Sequence, residues 1–209
     1  MKKIILLLIT VLSILSFSSK VISEDVKLKN GVKEGKYIIT YDDSKEEGIY
    51  VRGKKEGLVT RYWNDGIIIK FNYKNGEKDG IAIKYNADGS KRQETTFNKG
   101  EFSGKITQYF ENGDKQEFTY DKNGELNGKA VQYNKDGSRQ EFAYLNGIKH
   151  GKAVIYFGDF REEFSYNHGV EQGSAVLYYK DGKLVDIVFD IYHTEIGRIM
   201  LKNELNNKK

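Results

Sequence analysis

The chain has 209 residues but no cysteine, no proline, one tryptophan and three histidines. Without cysteine there can be no disulfide, no thiolate metal site, no cysteine nucleophile and no lipid-modified cysteine. Stability must then come from packing and backbone hydrogen bonds alone. Without proline there is no Pro-rich stalk or linker. What is abundant is glycine (22), tyrosine (15) and phenylalanine (11). Frequent glycine among aromatic residues points to strands joined by turns.

Charge of one sign is also scarce once the N-terminus is set aside. Lys2 and Lys3 precede an apolar run from Ile4 to Phe17, which only Thr10, Ser13 and Ser16 interrupt. Val21-Ile22-Ser23 then places small or apolar residues before Glu24, the pattern of a secretory signal peptide over residues 1–23. Ser16 and Ser18 offer a second cleavage point. The apolar run is shorter than the roughly 20 residues of a spanning helix. Lys2, Lys3 and Lys20 account for three of the 34 basic residues, leaving 31 against 30 acidic ones. Such a balance excludes the basic footprint of a nucleic-acid binder and disfavours a lipid surface. The expected location is the periplasm, the cell surface or the medium.

The rest of the chain is a repeat. A Gly-x-x-x-Gly pair recurs seven times, at Gly31/Gly35, Gly53/Gly57, Gly76/Gly80, Gly100/Gly104, Gly124/Gly128, Gly147/Gly151 and Gly169/Gly173. The second glycines lie 22, 23, 24, 24, 23 and 22 residues apart. Polar residues fill the pairs, so they read as turns and not as a helix-packing motif. A tyrosine follows five residues later in six repeats: Tyr62, Tyr85, Tyr109, Tyr133, Tyr156 and Tyr178. Asp-Gly or Asn-Gly comes next in most repeats, as at Asp136-Gly137, and is expected to form the tight hairpin turn. An aromatic pair closes several repeats, as Phe71/Tyr73, Phe118/Tyr120, Phe142/Tyr144 and Phe164/Tyr166. Its spacing of two puts both rings on one strand face and the preceding Glu117, Glu141 or Glu163 on the other.

Each repeat therefore predicts strand, tight turn, strand, glycine turn. The expected fold is all-β, an elongated, twisted, single-layer antiparallel meander of about seven tandem β-hairpins over residues 24–192. Residues 193–209 are expected to form a cap or tail, read as a short capping helix from the spacing of Ile196, Ile199 and Met200 or as an extra strand.

These residues resemble the MORN-repeat family in its bacterial variant. The resemblance rests on the period and on Tyr-x-x-Gly-x-x-x-Gly, present from Tyr50 to Gly57, Tyr73 to Gly80, Tyr144 to Gly151 and Tyr166 to Gly173. The Gly-x-Gly usual in the eukaryotic form is missing, for example at Gly80-Ile81-Ala82. The resemblance implies a hairpin array used for binding or assembly. Some bacterial relatives are labelled antitoxins of toxin–antitoxin systems, which gives an alternative reading.

No catalytic constellation is expected and no cofactor. His150 and His168 fall in consecutive glycine turns, where solvated histidines are commonplace, and no metal site is assigned to them. The row Glu94, Glu117, Glu141 and Glu163 repeats too regularly for the single asymmetric carboxylate pair of a glycosidase. It is expected to pair across strands with basic neighbours of the Arg61, Lys84 and Lys91 type. The remaining candidate is the aromatic ladder. Tyr85, Tyr109, Tyr133 and Tyr156 are the expected contacts for a protein partner or a second copy, with a glycan as a further ligand of such a strip. The reading is an exported, non-enzymatic binding or scaffold protein.

Overall fold

The computed structural model describes residues 19–179 and 181–188. Most of the leader and the expected cap over residues 193–209, including His193, lie outside the described residues. Among the described residues every regular element is a β-strand, as the sequence predicts.

The chain forms two compact units. The N-terminal unit is described over 19–110 with 122–124, and the C-terminal unit over 111–121, 125–179 and 181–188. The N-terminal unit contains β1 (Val21–Lys29), β2 (Val32–Tyr41), β3 (Ser44–Val51), β4 (Lys54–Trp63), β5 (Ile68–Lys74), the short β6 (Glu77–Lys78), β7 (Gly80–Tyr85), β8 (Lys91–Asn98) and β9 (Glu101–Tyr109). The C-terminal unit contains β10 (Lys115–Thr119), β11 (Gly128–Tyr133), β12 (Arg139–Leu145), β13 (Ile148–Phe157), β14 (Phe160–Asn167), β15 (Val170–Tyr179) and β16 (Leu184–Val188). Within each unit neighbours in the sheet are neighbours in sequence, all antiparallel, with β6 a side branch on β5. The fold is an open, single-layer meander of hairpins.

Two kinds of turn alternate, and their assignment differs from the expectation. The tight two-residue turn sits at the first glycine of every pair except Gly124, where only the glycine is left-handed and the Asp121 N–H donates to the Glu125 carbonyl. Between β12 and β13, Asn146 and Gly147 have φ of 51° and 78°, and Leu145 pairs directly with Ile148. Two successive positive φ values give the mirror-image turn whose twist matches the strands it joins. At Asp136-Gly137 only the glycine is left-handed, with φ of 84°. There the Gly137 N–H donates to the Asn134 carbonyl (3.0 Å) and the Asn134 N–H to the Ser138 carbonyl (2.9 Å). The Asp136 carboxylate accepts the Ser138 N–H at 2.8 Å, which holds the aspartate in the wider turn. The second glycine of a pair marks a bulge. Phe142 pairs with Ala153 but Tyr144 with Lys149, so β13 carries two extra residues around Gly151, whose φ is 88°.

Strand alternation gives each unit an aromatic face that packs on itself. In the C-terminal unit this core is Phe142, Ala153, Ile155, Phe157, Phe160, Phe164, Ala175 and Leu177, with Tyr144 and Tyr166 against it. Small faces large across the ladder: Ala153, fully buried, pairs with Phe142 on one side and Phe164 on the other. In the N-terminal unit Tyr37, Ile39, Tyr50 and Val59 form one cluster, and Ile69, Phe71, Ala82 and Phe97 another.

The N-terminal core face also holds charge. Glu46 is buried, accepts the Tyr37 hydroxyl at 2.9 Å and pairs with the Lys55 ammonium. Lys55 in turn lies over the Tyr37 and Tyr73 rings at 5.7 and 5.4 Å. Arg61 stacks on Tyr41 (4.2 Å) and Trp63 (4.9 Å), and its Nε donates to Ser44 Oγ at 2.9 Å. Burial raises the Tyr37 phenol well above its usual range, with the Glu46 charge adding to it. Burial first, and Glu46 second, push Tyr73 up to about 12.

Candidate binding face

The two aromatic series of the sequence lie on opposite faces of the sheet. The Phe/Tyr pairs build the core. The series Tyr85, Tyr109, Tyr133 and Tyr156 shares the other face with the acidic row, because Tyr133 is in register with Arg139 and Val131 with Glu141. All four tyrosines are half-buried. Within its own unit, each lies on a face over which no described element packs.

A basic side chain from the preceding strand covers each ring. Lys70 lies over Tyr85 at 5.4 Å and Lys91 over Tyr109 at 5.8 Å. In the C-terminal unit Lys115 lies over Tyr133 at 4.1 Å, Arg139 over Tyr156 at 4.0 Å and Arg161 over Tyr178 at 4.7 Å. Lys45 over Tyr62, at 5.1 Å, repeats the arrangement at the start of the array. A cation held over the ring face is attracted by the ring quadrupole, by about 0.5–1 kcal/mol at exposed sites.

A glutamate fixes most of these cations. Glu141 takes Arg139 (3.0 Å) from its own strand and Lys129 (2.8 Å) from β11. Glu163 takes Arg161 (3.0 Å) and Lys152 (2.9 Å) in the same way. Glu117 pairs with Lys115 at 2.9 Å and Glu94 with Lys91 at 2.8 Å. The expected cross-strand ion pairs occur at Glu141 with Lys129 and at Glu163 with Lys152, whereas Glu94 and Glu117 pair with cations of their own strands, and not all the basic partners named take part. Arg61 and Lys84 belong to the aromatic core face: Arg61 is in register with Ile69, and Lys84 with Ile69 and Gln93. Burial, and then Arg92, lower the Lys84 ammonium.

Of the cations on this face only Lys91 was expected from the sequence. Their signal is a basic residue two positions before the glutamate, as in Lys115-x-Glu117, Arg139-x-Glu141 and Arg161-x-Glu163. The repeat unit of the face is therefore tyrosine, cation and carboxylate, interlocked across two strands. Tyr62 departs slightly, since its hydroxyl also donates to Glu47 at 2.6 Å, and this bond raises its phenol.

Little else competes for the role of a site. His150 and His168 do meet, ring edge to face, at 5.2 Å between centroids. No cluster of three or more His, Cys, Asp or Glu side chains suited to a metal occurs among the described residues. Among the same residues no helix is long and apolar enough to cross a membrane.

The fold and this face define a class, that of open β-hairpin repeat arrays presenting rows of tyrosine, base and acid. No family model matches the chain, and no curated protein does. Similar solved structures include BamB from Moraxella catarrhalis, 9% identical, covering 79% of this chain and 76% of that one at a TM-score of 0.20. Another is Hsv2 from Kluyvelomyces marxianus, 8% identical, covering 78% of this chain and 89% of that one at a TM-score of 0.19. Likenesses at such TM-scores carry no argument about fold or function.

Proposed function

We propose that this chain is an exported, non-enzymatic protein-binding or scaffold protein of the MORN-repeat kind, and that it holds its partner on the tyrosine–cation face. One observation carries the reading. Half-buried tyrosines recur at the repeat period, each under a lysine or arginine, on a face that no described element of their own unit covers. Tyrosine and arginine are the residues that concentrate binding energy in protein interfaces. Here packing and ion pairs already restrain their side chains, so less conformational freedom is lost on contact. A repeated surface suits an extended protein partner or a second copy better than a small substrate, which needs one concave site. The signal-like leader supports a role outside the cytoplasm.

The test is crosslinking and affinity capture from cells with the exported chain as bait, followed by titration of the purified captured protein. Tyr133→Ala with Tyr156→Ala should weaken that affinity at least tenfold, as should Tyr85→Ala with Tyr109→Ala, while the circular dichroism of the sheet is kept. Unchanged affinity in both double variants would remove this face as the binding site.

A further inference from the structure

We propose that the exported chain is cut between Ser18 and Ser19, so that Ser19 is its first residue, and not between Ser23 and Glu24. The inference rests on the export reading above. The reaction is the hydrolysis performed by a signal peptidase: water adds across the Ser18–Ser19 amide, leaving a carboxylate on Ser18 and an ammonium on Ser19.

Residues 19–23 are part of the folded N-terminal unit. The Ser19 hydroxyl donates to Asp43 Oδ2 at 2.8 Å and accepts from Arg61 Nη2 at 2.7 Å. The Lys20 N–H donates to Asp42 Oδ1 and its carbonyl accepts the Asp42 N–H, both at 3.0 Å. Val21 then pairs with Tyr41 and Ser23 with Thr40, across a bulge, within β1. The Ser23–Glu24 bond therefore lies inside a paired strand.

Cutting there would strip the chain of all these partners. Arg61 is the residue most affected. Its guanidinium is largely buried between Tyr41 and Trp63 and would lose a hydroxyl acceptor, and an unmade hydrogen bond to a largely buried charge is costly. Tyr41 would become an unpaired strand end. A cut after Ser18 keeps every one of these contacts. It also forms the new ammonium on the residue bound to Asp43, whose carboxylate the Ser44 and Ser19 hydroxyls hold below the usual range. The sequence permits the cut: Ser16 and Ser18 are small residues at the third and first positions before it, directly after the apolar run.

The full chain is expressed in a bacterial host with its own leader, the cells are fractionated, and the exported protein is read by intact mass and N-terminal sequencing. A chain of 191 residues beginning at Ser19 is expected. Ser18→Tyr should abolish that product, and Ser23→Tyr should leave the N-terminus unchanged. An exported chain beginning at Glu24 overturns the proposal while leaving export intact. An uncut chain kept in the cytoplasm overturns both. As a second measurement, chains starting at Ser19 and at Glu24 are melted with Trp63 fluorescence as the probe. The longer one should melt about 5 °C higher, and equal midpoints would overturn the structural argument.

Discussion

The two units follow one repeat template yet fill their aromatic faces differently. In the C-terminal unit the interior is mainly Phe142, Phe157, Phe160, Phe164 and Leu177 around the small residues Ala153 and Ala175, with the buried Glu162 in register with Leu177 and Lys149 over the Phe142 ring. In the N-terminal unit the corresponding space holds Tyr37, Tyr50, Tyr73 and Arg61, with Glu46 and Lys55 paired among them. The C-terminal interior relies mostly on hydrocarbon contact, which is non-directional and scales with area. The first N-terminal cluster, unlike the second of Ile69, Phe71, Ala82 and Phe97, adds a hydrogen-bonded ion pair, which is costly to bury but more costly to break. A hairpin array tolerates both because each hairpin packs only on its neighbours, so the chemistry can change along the chain without a change of fold.

Three measurements sharpen the contrast. The largest effect belongs to the hydrocarbon interior. Leu177→Ala removes a fully buried side chain and should cost about 3 kcal/mol. Hydrogen exchange should show the loss in β13 to β15. Comparable protection in the variant would mean that the site collapses to fill the cavity.

Next comes the ion pair. Glu46→Ala leaves the Tyr37 hydroxyl and the Lys55 ammonium without their acceptor and should cost about 2 kcal/mol. Trp63 is the only tryptophan and sits in this unit, so its fluorescence reports the unfolding midpoint there. Glu46→Gln keeps an acceptor for Tyr37 and should cost less. Equal losses would show that the charge alone matters.

The smallest effect is alkaline. Tyr73 titrates near 12 in the folded chain but near 10 when unfolded. Its contribution is complete below pH 10 and falls as pH rises toward 12, because the unfolded chain releases its proton first. The loss should reach about 1 kcal/mol by pH 11. Lys78, lowered by burial and then by Lys55, acts in the opposite sense only up to its unfolded value of about 10.5. Tyrosinate absorbance lagging behind that of a denatured control checks the order of events. Coincident curves would contradict the burial of these phenols.

Much of this molecule was legible in its residues. The glycine period set the hairpins, and the spacing of two in Phe142/Tyr144 set the core face. The type of each turn was not legible. Asp136-Gly137 and Asn146-Gly147 look alike as dipeptides, but Asp136 is held by the Ser138 N–H while Asn146 enters the left-handed region. The candidate face was half legible. Its tyrosines stood out by repetition, whereas their cations became visible only through the pairing of Arg139 with Tyr156 and Lys115 with Tyr133. That pairing depends on the tight turns and bulges, which shift one strand against the next.

By itself the sequence determined that strands alternate with turns every 22 to 24 residues, because glycine and the period-two pattern are local properties. It also required Glu46 and Glu47 to point to opposite faces, since adjacent strand residues always do. Tertiary structure decided which was which: Glu46 lies buried against Tyr37 and Lys55, and Glu47 lies on the outer face beside Tyr62. The reason is register, which is fixed between strands and written in neither strand alone.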